Sequence, residues 1–252
     1  MSLAIDLVAV RRLEELAFRG WPALESRDID GWRLRFSDGY TKRANSINAL
    51  GPDAQTDAAT VHRLEASYLA RGQSPVWRLS PLAPPALADL LADRGYRTLE
   101  RSLLQVCPLH PGFAADPEVR IHPQPTPAWI EAFCTYSPIR PEHRDTMRRM
   151  LAAIAAPAGF AFVQEAGRPL AMAIGAVEGD HMGLFDVLVM PQARRRGLAR
   201  RITESLYAWA WQQGARFAYL QVVATNDAAL PLYAAQGFRT VYAYEYRVPP
   251  LP

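Results

Sequence analysis

The sequence predicts a mixed α/β fold built from two related halves. Strand-like and helix-like segments alternate along most of the 252 residues, which is typical of α/β proteins. Half of the residues are hydrophobic, and the prolines and glycines are scattered, as in globular chains. A shift of 142 residues superposes residues 31–106 on residues 173–248 without a gap. We therefore expect a mixed sheet flanked by helices, in a chain long enough for two domains.

The first half, residues 1–115, opens with a helix and a hairpin. A Ser-Asp-Gly turn at residues 37–39 separates two extended runs, which predicts the hairpin, and Asp57 is an expected helix N-cap. The remaining predictions are helices over residues 7–21, 57–71 and 86–94, and strands over residues 76–79 and 97–106. Residues 107–119 contain three prolines and no periodicity, which predicts a linker and a domain boundary near residue 115.

The second half, residues 116–252, has the pattern of a complete α/β domain. Apolar residues recur at helical spacing from Gly197, directly after a strand that Pro191 stops. We predict strands over residues 119–122, 161–165, 171–177, 182–189 and 217–224, helices over 126–136, 141–155, 197–213 and 227–236, and a final strand pair. The order hairpin, helix, strand, helix, strand occurs in both halves. This order favours an internal duplication over two unrelated α/β pieces that end alike.

Charge and cysteine usage narrow the function classes. The formal net charge is only +3, and residues 194–196 are the one run of three basic residues, so nucleic-acid binding is not expected. No segment has the apolar length of a membrane span or the form of a signal peptide, so we expect a cytoplasmic protein without membrane binding. Cys107 and Cys134 are far apart, which indicates core residues rather than a metal site or a disulfide.

The stretch FDVLVMPQARRRGLARRI, which begins at Phe185, has the pattern of an anion site. An apolar strand is followed by a proline, by arginines and by a glycine that opens a helix. The N–H groups of a helix N-terminus lack intrahelical acceptors and carry partial positive charge, so a pyrophosphate can bind there. The expected contributors are Arg194, Arg195, Arg196, Gly197, Leu198, Ala199 and Arg200, with further charge from Arg201. A solvated arginine face beside a loop is the alternative.

This stretch and the sequence after it resemble the GNAT acyltransferase superfamily. The family motif, a strand and then [Q/R]-x-x-G-x-[G/A] leading into a helix, is met by Arg194, Gly197 and Ala199. Further along, Asn226 and Tyr233 stand seven residues apart before a Gly-Phe pair, as in that family. The resemblance extends from about residue 119 to residue 248.

The resemblance implies two GNAT-like domains in tandem. Residues 52–57 occupy the aligned position of the arginine loop, and Leu91 occupies that of Tyr233, so the first half lacks the family's chemistry. We expect residues 1–115 to form a degenerate domain and residues 116–252 to form the catalytic domain.

The resemblance also implies transfer of an acetyl group from acetyl-CoA to a primary amine. The backbone of Val187, Leu188 and Val189 would pair with the pantetheine arm like an added strand and polarise the thioester. Alternatively, these residues are simply a buried strand. Asn226 would bind the cofactor near the thioester, cap the following helix, or do both. Tyr233 matches the family's general acid, which protonates the departing thiolate, although a structural aromatic residue fits the same position.

The general base is left open. Some family members carry a glutamate on the strand before Asn226, but Gln221 stands there, and glutamine cannot accept a proton from the amine. Asp186, polar in an apolar strand, is one alternative, a water relay is a second, and a purely structural role for Asp186 is a third. Residues 40–49 are unusually polar. They form either a solvent-facing edge strand or part of the acceptor pocket.

These observations favour an N-acetyltransferase that acts on a small-molecule amine by direct transfer in a ternary complex. We expect no metal, and a monomer or a homodimer. The alternatives are an acyl-CoA-binding sensor without turnover and a protein N-acetyltransferase. Because a sensor would not need both Asn226 and Tyr233, their presence favours the enzyme.

Overall fold

The computed structural model describes residues 6–250, and their strands form one continuous mixed sheet of eleven strands. The mixed α/β class is thereby confirmed. Residues 1–5, at the start of the first predicted domain, and residues 251–252, at the end of the second, lie outside the described residues. The helices are α1 (Leu7–Gly20), α2 (Ala58–Leu69), α3 (Leu87–Asp93), α4 (Pro127–Tyr136), α5 (Arg144–Ala152), α6 (Leu198–Gln212) and α7 (Leu230–Ala235).

The strands are β1 (Glu25–Ile29), β2 (Trp32–Phe36), β3 (Ile47–Ala49), β4 (Trp77–Leu79), β5 (Arg97–Pro108), β6 (Arg120–His122), β7 (Ala158–Glu165), β8 (Arg168–Glu178), β9 (His181–Val189), β10 (Phe217–Val223) and β11 (Arg239–Val248). Short 3-10 helices lie at Lys42–Ala44, Pro141–His143 and Pro191–Ala193.

The last strand of each half pairs within the sheet of the other half. The strand order is β1-β2-β3-β4-β11-β5-β10-β9-β8-β7-β6. β11 lies antiparallel to β4, and β5 lies antiparallel to β10. β5 and β11 also pair with each other at the centre of the sheet. The sheet therefore continues across the boundary predicted near residue 115.

The shift of 142 residues superposes corresponding elements of the two halves. It places α2 on α6, β4 on β10, α3 on α7 and β5 on β11. The strand order is also symmetric about the β11-β5 pair, because β4 and β10 are equivalent neighbours on either side. The correspondence found in the sequence is thus also a correspondence of elements in the sheet.

Helices cover both faces of the second half of the sheet. Tyr219 of β10 donates a hydrogen bond from its hydroxyl to the carbonyl of Leu16 in α1 at 2.8 Å, and Gly183 of β9 lies against the same hydroxyl. Met182 and Leu206 of α6 meet instead beside Gly175. Since successive residues of a strand face opposite sides, α1 and α6 cover opposite faces.

One local expectation was confirmed in part and another was wrong. The two runs that flank residues 37–39 pair antiparallel as β2 and β3. A further, tight hairpin forms between β1, which was not predicted, and β2, because Asp30 and Gly31 both adopt the positive φ that such a turn requires. After the turn at residues 37–39 a 3-10 helix intervenes before β3. The expected final strand pair is one strand, β11. A bulge between Thr240 and Tyr242 interrupts its alternation and makes the sequence resemble two strands.

The polar segment before β3 is not an edge strand, so that interpretation was also wrong. β3 lies between β2 and β4, and Asn45 and Asn48 are buried. The side-chain oxygen of Asn45 accepts hydrogen bonds from the N–H groups of Ser37 and Gly39, at 2.7 and 3.1 Å. The polar side chains of this segment therefore hold a buried loop together through internal hydrogen bonds, because buried polar groups need partners.

A buried ion pair joins the first half to β11, which we call an exchanged strand because it belongs to the second half and pairs with β4 of the first. Glu14 of α1 pairs with Arg78 of β4, with Arg78 Nη2 donating to Glu14 Oε1 at 2.9 Å, and both side chains are nearly inaccessible. Tyr242 of β11 donates its hydroxyl to Glu14, and the Arg78 guanidinium lies 3.7 Å from the ring centroid of Tyr244. These contacts satisfy both charges, which would otherwise be costly to bury.

Candidate active site

β9 and β10 separate from each other near their carboxyl ends. Their parallel pairing stops at Leu184 and Leu220, although β9 continues to Val189 and β10 to Val223. Asp186 adopts a φ of +48°, and the register between β9 and β8 shifts at this point. A bulge of this kind bends a strand and ends its pairing, so it opens a V-shaped gap between the two strands.

The unpaired edge of β9 directs backbone groups into this gap. The N–H of Met190 donates to the carbonyl of Leu170, on the β8 side, at 3.0 Å. Because successive residues of a strand present their N–H and C=O groups to opposite edges, those of Val189 and Val187 point toward β10. An extended ligand can pair with this edge as an added strand.

The N-terminus of α6 lies beside the same gap. Gly197 precedes the helix with φ +71°, and no side chain caps the helix. The N–H groups of its first turn therefore lack intrahelical acceptors. A Cβ at Gly197 would meet no atom within 4 Å, so the approach to these N–H groups is open.

The equivalent helix end in the first half is blocked by the chain itself. The Asp57 carboxylate caps α2 and accepts hydrogen bonds from the N–H of Thr60 at 2.9 Å and from its hydroxyl at 2.8 Å. A negative side chain thus takes the place of an external anion.

A cleft of about 740 Å³ lies between β9, the start of α6 and the start of α7. Its volume is within the roughly 300–1,000 Å³ range of small-molecule sites. It brings together the predicted residues Val187, Leu188, Val189, Arg194, Arg195, Gly197, Leu198, Ala199, Arg200, Asn226 and Tyr233. The sequence analysis missed Asp227, Ala228, Ala229, Pro231 and Leu232 in this lining. Their position between two predicted site residues was the available signal.

Not every arginine of the cluster lies in the cleft. Arg196 is outside the lining, and its Nη1 lies 3.5 Å from Glu165 Oε2. Arg201 donates from Nε to Asp116 Oδ2 at 2.5 Å, which ties α6 to the segment before β6. Positive charge in the cleft is therefore supplied by the other three arginines of the cluster.

Tyr233 is buried in the wall of the cleft. Its ring packs against Phe238, with 5.7 Å between centroids, and its side chain is only 8% exposed. The hydroxyl makes no hydrogen bond to any residue that the structure describes. Burial, with a smaller contribution from the charge of Asp186, raises the pKa of Tyr233 to about 12. The phenol therefore remains protonated at neutral pH and can donate its proton.

Asn226 has a structural contact and a position in the cleft. Its side-chain oxygen accepts a hydrogen bond from the N–H of Ala229 at 3.1 Å, in the turn that leads into α7. Its side-chain nitrogen has no partner among the described residues, so it remains able to donate to a ligand. The two roles expected for Asn226 are compatible.

Asp186 lies where the gap between β9 and β10 opens. Its Oδ1 is 3.9 Å from Arg43 Nη2, and its Oδ2 is buried without a hydrogen-bond partner in the described residues. Burial raises the pKa of Asp186, and the positive charge of Arg43 opposes this shift. A carboxylate with a purely structural role would be expected to accept hydrogen bonds, so this environment favours a functional role.

A smaller pocket of about 160 Å³ contains Lys42, Arg43, Gln221, Tyr244 and Tyr246 in its lining. The hydroxyl of Tyr244 donates to Gln221 Oε1 at 2.8 Å, which fixes the glutamine that stands where a glutamate base was considered. The polar segment of residues 40–49 thus reaches the second half of the chain. The sequence analysis gave a part in the acceptor pocket as one alternative for this segment, but it did not indicate the approach of Arg43 to Asp186.

Among residues 6–250 there is no cluster of His, Cys, Asp or Glu side chains that could hold a metal ion. No helix in this described range has the length and apolar character needed to cross a membrane. Cys107 and Cys134 are both buried and unpaired, as predicted.

Comparison with known proteins identifies the family. The family model described as "Probable histone acetyltransferase Rv0428c C-terminal" matches residues 8–247, nearly the whole chain. The chain belongs to this family of GNAT-type N-acetyltransferases. The GNAT resemblance seen in the sequence is thereby confirmed, and acetyl-CoA is the donor that GNAT acetyltransferases use.

Two relatives of this GNAT protein match most of its length, and a third matches a shorter part. An uncharacterized N-acetyltransferase of Bacillus subtilis, YobR, is 26% identical over 95% of this chain and 98% of its own. The probable histone acetyltransferase Rv0428c of Mycobacterium tuberculosis is 27% identical over 96% of this chain and 74% of its own. The ribosomal protein bS18-alanine N-acetyltransferase of Escherichia coli is 38% identical, but over only 29% of this chain and 49% of its own.

Solved structures support the GNAT fold. A GCN5-related N-acetyltransferase from Kribbella flavida aligns with a TM-score of 0.68 at 18% identity, covering 96% of each chain. A tandem GNAT protein from the clavulanic acid biosynthesis pathway aligns with a TM-score of 0.63 at 12% identity, covering 94% of this chain and 86% of its own.

The residues of the large cleft fit an acyl-CoA. The uncapped start of α6 and the open space at Gly197 suit a pyrophosphate, since backbone N–H groups can reach its oxygens. The unpaired edge at Val187 and Val189 suits the amide groups of a pantetheine arm. Both features face the cleft that Tyr233 lines.

Proposed function

We propose that this GNAT enzyme transfers the acetyl group of acetyl-CoA directly to the primary amine of a small molecule, in a ternary complex. The observation that carries the proposal is the cleft itself. It joins an uncapped helix start, an unpaired strand edge and a buried tyrosine hydroxyl in one space.

Binding of the donor follows from these groups. Arg194, Arg195 and the first N–H groups of α6 bind the pyrophosphate, and the backbone of Val187 and Val189 pairs with the pantetheine arm. The side-chain nitrogen of Asn226 donates to the pantetheine near the thioester. A backbone N–H on the same edge of β9 stabilises the negative charge that develops on the carbonyl oxygen during attack.

Proton transfers are assigned to the two buried side chains. Asp186 accepts a proton from the acceptor's ammonium group, and the neutral amine then attacks the thioester carbon. A carbon–nitrogen bond forms and the carbon–sulfur bond breaks. Tyr233 donates its proton to the departing sulfur, so the products are the acetylated amine and free CoA.

We infer that residues 1–115 are a degenerate copy of the catalytic half. The superposed elements support this duplication, and the Asp57 cap supports the loss of donor binding, because its carboxylate would repel a pyrophosphate. The boundary near residue 115 falls in a segment without strands or helices, between β5 and β6.

A protein amine is the second candidate acceptor. Two relatives carry names that specify protein substrates, a probable histone acetyltransferase and a ribosomal protein bS18-alanine N-acetyltransferase. The pocket of about 160 Å³ beside Asp186 supports a small molecule instead, because it is smaller than the roughly 300–1,000 Å³ typical of sites for drug-sized ligands.

The test is release of free thiol from acetyl-CoA with a panel of small amines, amino acids and peptides with a free N-terminus or a lysine. We expect turnover with at least one small amine. Turnover with peptides alone would favour the protein acceptor. Thermal stabilisation by acetyl-CoA without turnover on any amine would favour a sensor and refute the enzymatic proposal.

A further inference from the structure

The small pocket beside the catalytic cleft is built by both halves of the chain. Lys42 and Arg43 enter it from the 3-10 helix of the first half, and Gln221 enters it from β10. Tyr244 and Tyr246 enter it from the exchanged strand β11. The walls therefore combine two cations with aromatic and amide groups.

Arg43 presents hydrogen-bond donors that the protein does not use. Its side chain is 27% exposed and donates no hydrogen bond to any residue that the structure describes. Its one ion pair in the described chain is the long one to Asp186, at 3.9 Å. By contrast, Arg33 and Arg78 are each held by a carboxylate within hydrogen-bond distance. A half-buried guanidinium with unused donors suits a planar anion such as a carboxylate.

Lys42 contributes less to an anion site because its positive charge is already paired with a carboxylate. Its Nζ lies 3.4 Å from Glu100 Oε2, which also lines the pocket. The pocket lining thus holds charges of both signs, and Asp186, outside the lining, lies 3.9 Å from Arg43 at its edge. An acceptor that carries both an ammonium and a carboxylate complements this arrangement better than a simple amine or an anion.

The distance between Arg43 and Asp186 limits the acceptor further. The amine that is acetylated must reach Asp186, which takes its proton, while a bound carboxylate must reach Arg43. These two groups are 3.9 Å apart at their nearest atoms. In an α-amino acid one carbon separates the amine from the carboxylate, so one small molecule can contact both groups at once.

We propose that the acceptor is a small free α-amino acid. Its carboxylate binds Arg43, its amine lies at Asp186, and its side chain occupies the space beside Tyr244 and Tyr246. The product is then an N-acetylamino acid, formed with release of CoA. This inference rests on the proposed function and adds the chemical class of the acceptor. It also distinguishes a free amino acid from a peptide N-terminus, which has no adjacent carboxylate.

The experiment compares each active amino acid with its own amide, which loses the negative charge and has a less basic amine. The difference in basicity is the same for every variant of the protein, so it cancels when the ratio is compared between variants. The measured quantity is the ratio of kcat/KM for the acid to kcat/KM for the amide, with acetyl-CoA saturating. We expect Arg43→Gln to lower this ratio about 10- to 100-fold, the effect of losing one charged hydrogen-bonded contact. Arg43→Lys keeps the charge without the planar fork, so its ratio should fall between the two.

Use of the ratio separates recognition from proton transfer. Loss of Arg43 also raises the pKa of Asp186, but that change affects the acid and the amide alike and cancels in the ratio. Arg27→Gln is the matched control. It removes an arginine that is 59% exposed and paired with Glu25 on β1, outside the pocket, and its ratio should equal that of the wild type.

The outcomes distinguish this inference from the function on which it rests. Turnover on amines with a ratio that Arg43→Gln leaves unchanged would overturn the amino-acid proposal and leave the acetyltransferase proposal standing. Equal use of acid and amide by the wild type would do the same. Absence of turnover with every amine would overturn both.

Discussion

Replacement of Tyr233 by phenylalanine removes only the hydroxyl group of this side chain from the site. The ring contact with Phe238 is kept, and no hydrogen bond within the described protein is lost, because the hydroxyl makes none. The free energy of unfolding should therefore change by less than about 0.5 kcal/mol. Any loss of activity can then be assigned to the hydroxyl itself.

The expected magnitude follows from the pKa of Tyr233, which burial raises to about 12. A free thiol has a pKa of about 8.5, so complete proton transfer from this phenol to a formed thiolate is uphill by about 5 kcal/mol. Transfer must therefore accompany cleavage of the carbon–sulfur bond. General acid catalysis contributes roughly 10²- to 10⁴-fold, and this mismatch places the effect of Tyr233→Phe near the lower limit, about 10²-fold in kcat.

The assay is thiol release at saturating acetyl-CoA and acceptor, together with calorimetric titration of acetyl-CoA. Tyr233→Phe should lower kcat about 100-fold and leave the Kd of acetyl-CoA within about twofold, since uniform binding is not affected. A kcat within threefold of the wild-type value would refute the role of Tyr233 as the acid. Equal losses in kcat and in acetyl-CoA affinity would indicate a binding residue instead.

Three further predictions concern backbone strain, a buried carboxyl and a buried ion pair. Gly197→Ala, strained at φ +71°, should weaken acetyl-CoA binding about tenfold by calorimetry, whereas Gly214→Ala, strained at φ +96° beyond the other end of α6, should not; equal affinities would contradict this. Asp186→Asn should abolish turnover yet raise the Tm at pH 7, because folding raises the pKa of this carboxyl and its charged form therefore destabilises the fold. This gain should vanish as the pH falls below about 4, where the unfolded chain also holds the proton, and a gain that persists there would contradict the reasoning. Glu14→Gln leaves Arg78 buried without its counter-charge and should lower the free energy of unfolding in urea by about 3–5 kcal/mol, and a loss below about 1 kcal/mol would show that the pair contributes little.

The proposed donor cleft was predictable from sequence because its parts are local. A strand, a stop at Pro191, a left-handed Gly197 and an amphipathic helix lie within one short stretch, and each has its own sequence pattern. Asn226 and Tyr233 lie close together on the next βα unit. Local preference for each conformation therefore agrees with the tertiary arrangement.

The proposed acceptor side could not be predicted from local pattern in the same way. Arg43 and Asp186 are far apart in sequence, and nothing in either neighbourhood indicates the other. The polar residues around Arg43 suggested either a solvent-facing strand or a part of the acceptor pocket, and in the structure Asn45 serves a buried loop. Polar composition alone does not distinguish exposure from internal hydrogen bonding, because both satisfy the same groups.

The exchange of β5 and β11 explains why the proposed acceptor pocket needs both halves. The correspondence of the two halves at a shift of 142 residues does not reveal whether each last strand stays in its own half or crosses over. Hydrophobic alternation identifies a strand but not its partner. In the structure β11 lies beside β4, so Tyr244 and Tyr246 come next to the 3-10 helix at Lys42–Ala44. Placed beside β10 instead, β11 would be displaced from β4, and the wall that these tyrosines form with Arg43 would be lost. Under the proposed function, the first half of the chain has a role without binding acetyl-CoA, because it supplies Arg43 and the β4 edge with which β11 pairs beside the proposed acceptor pocket.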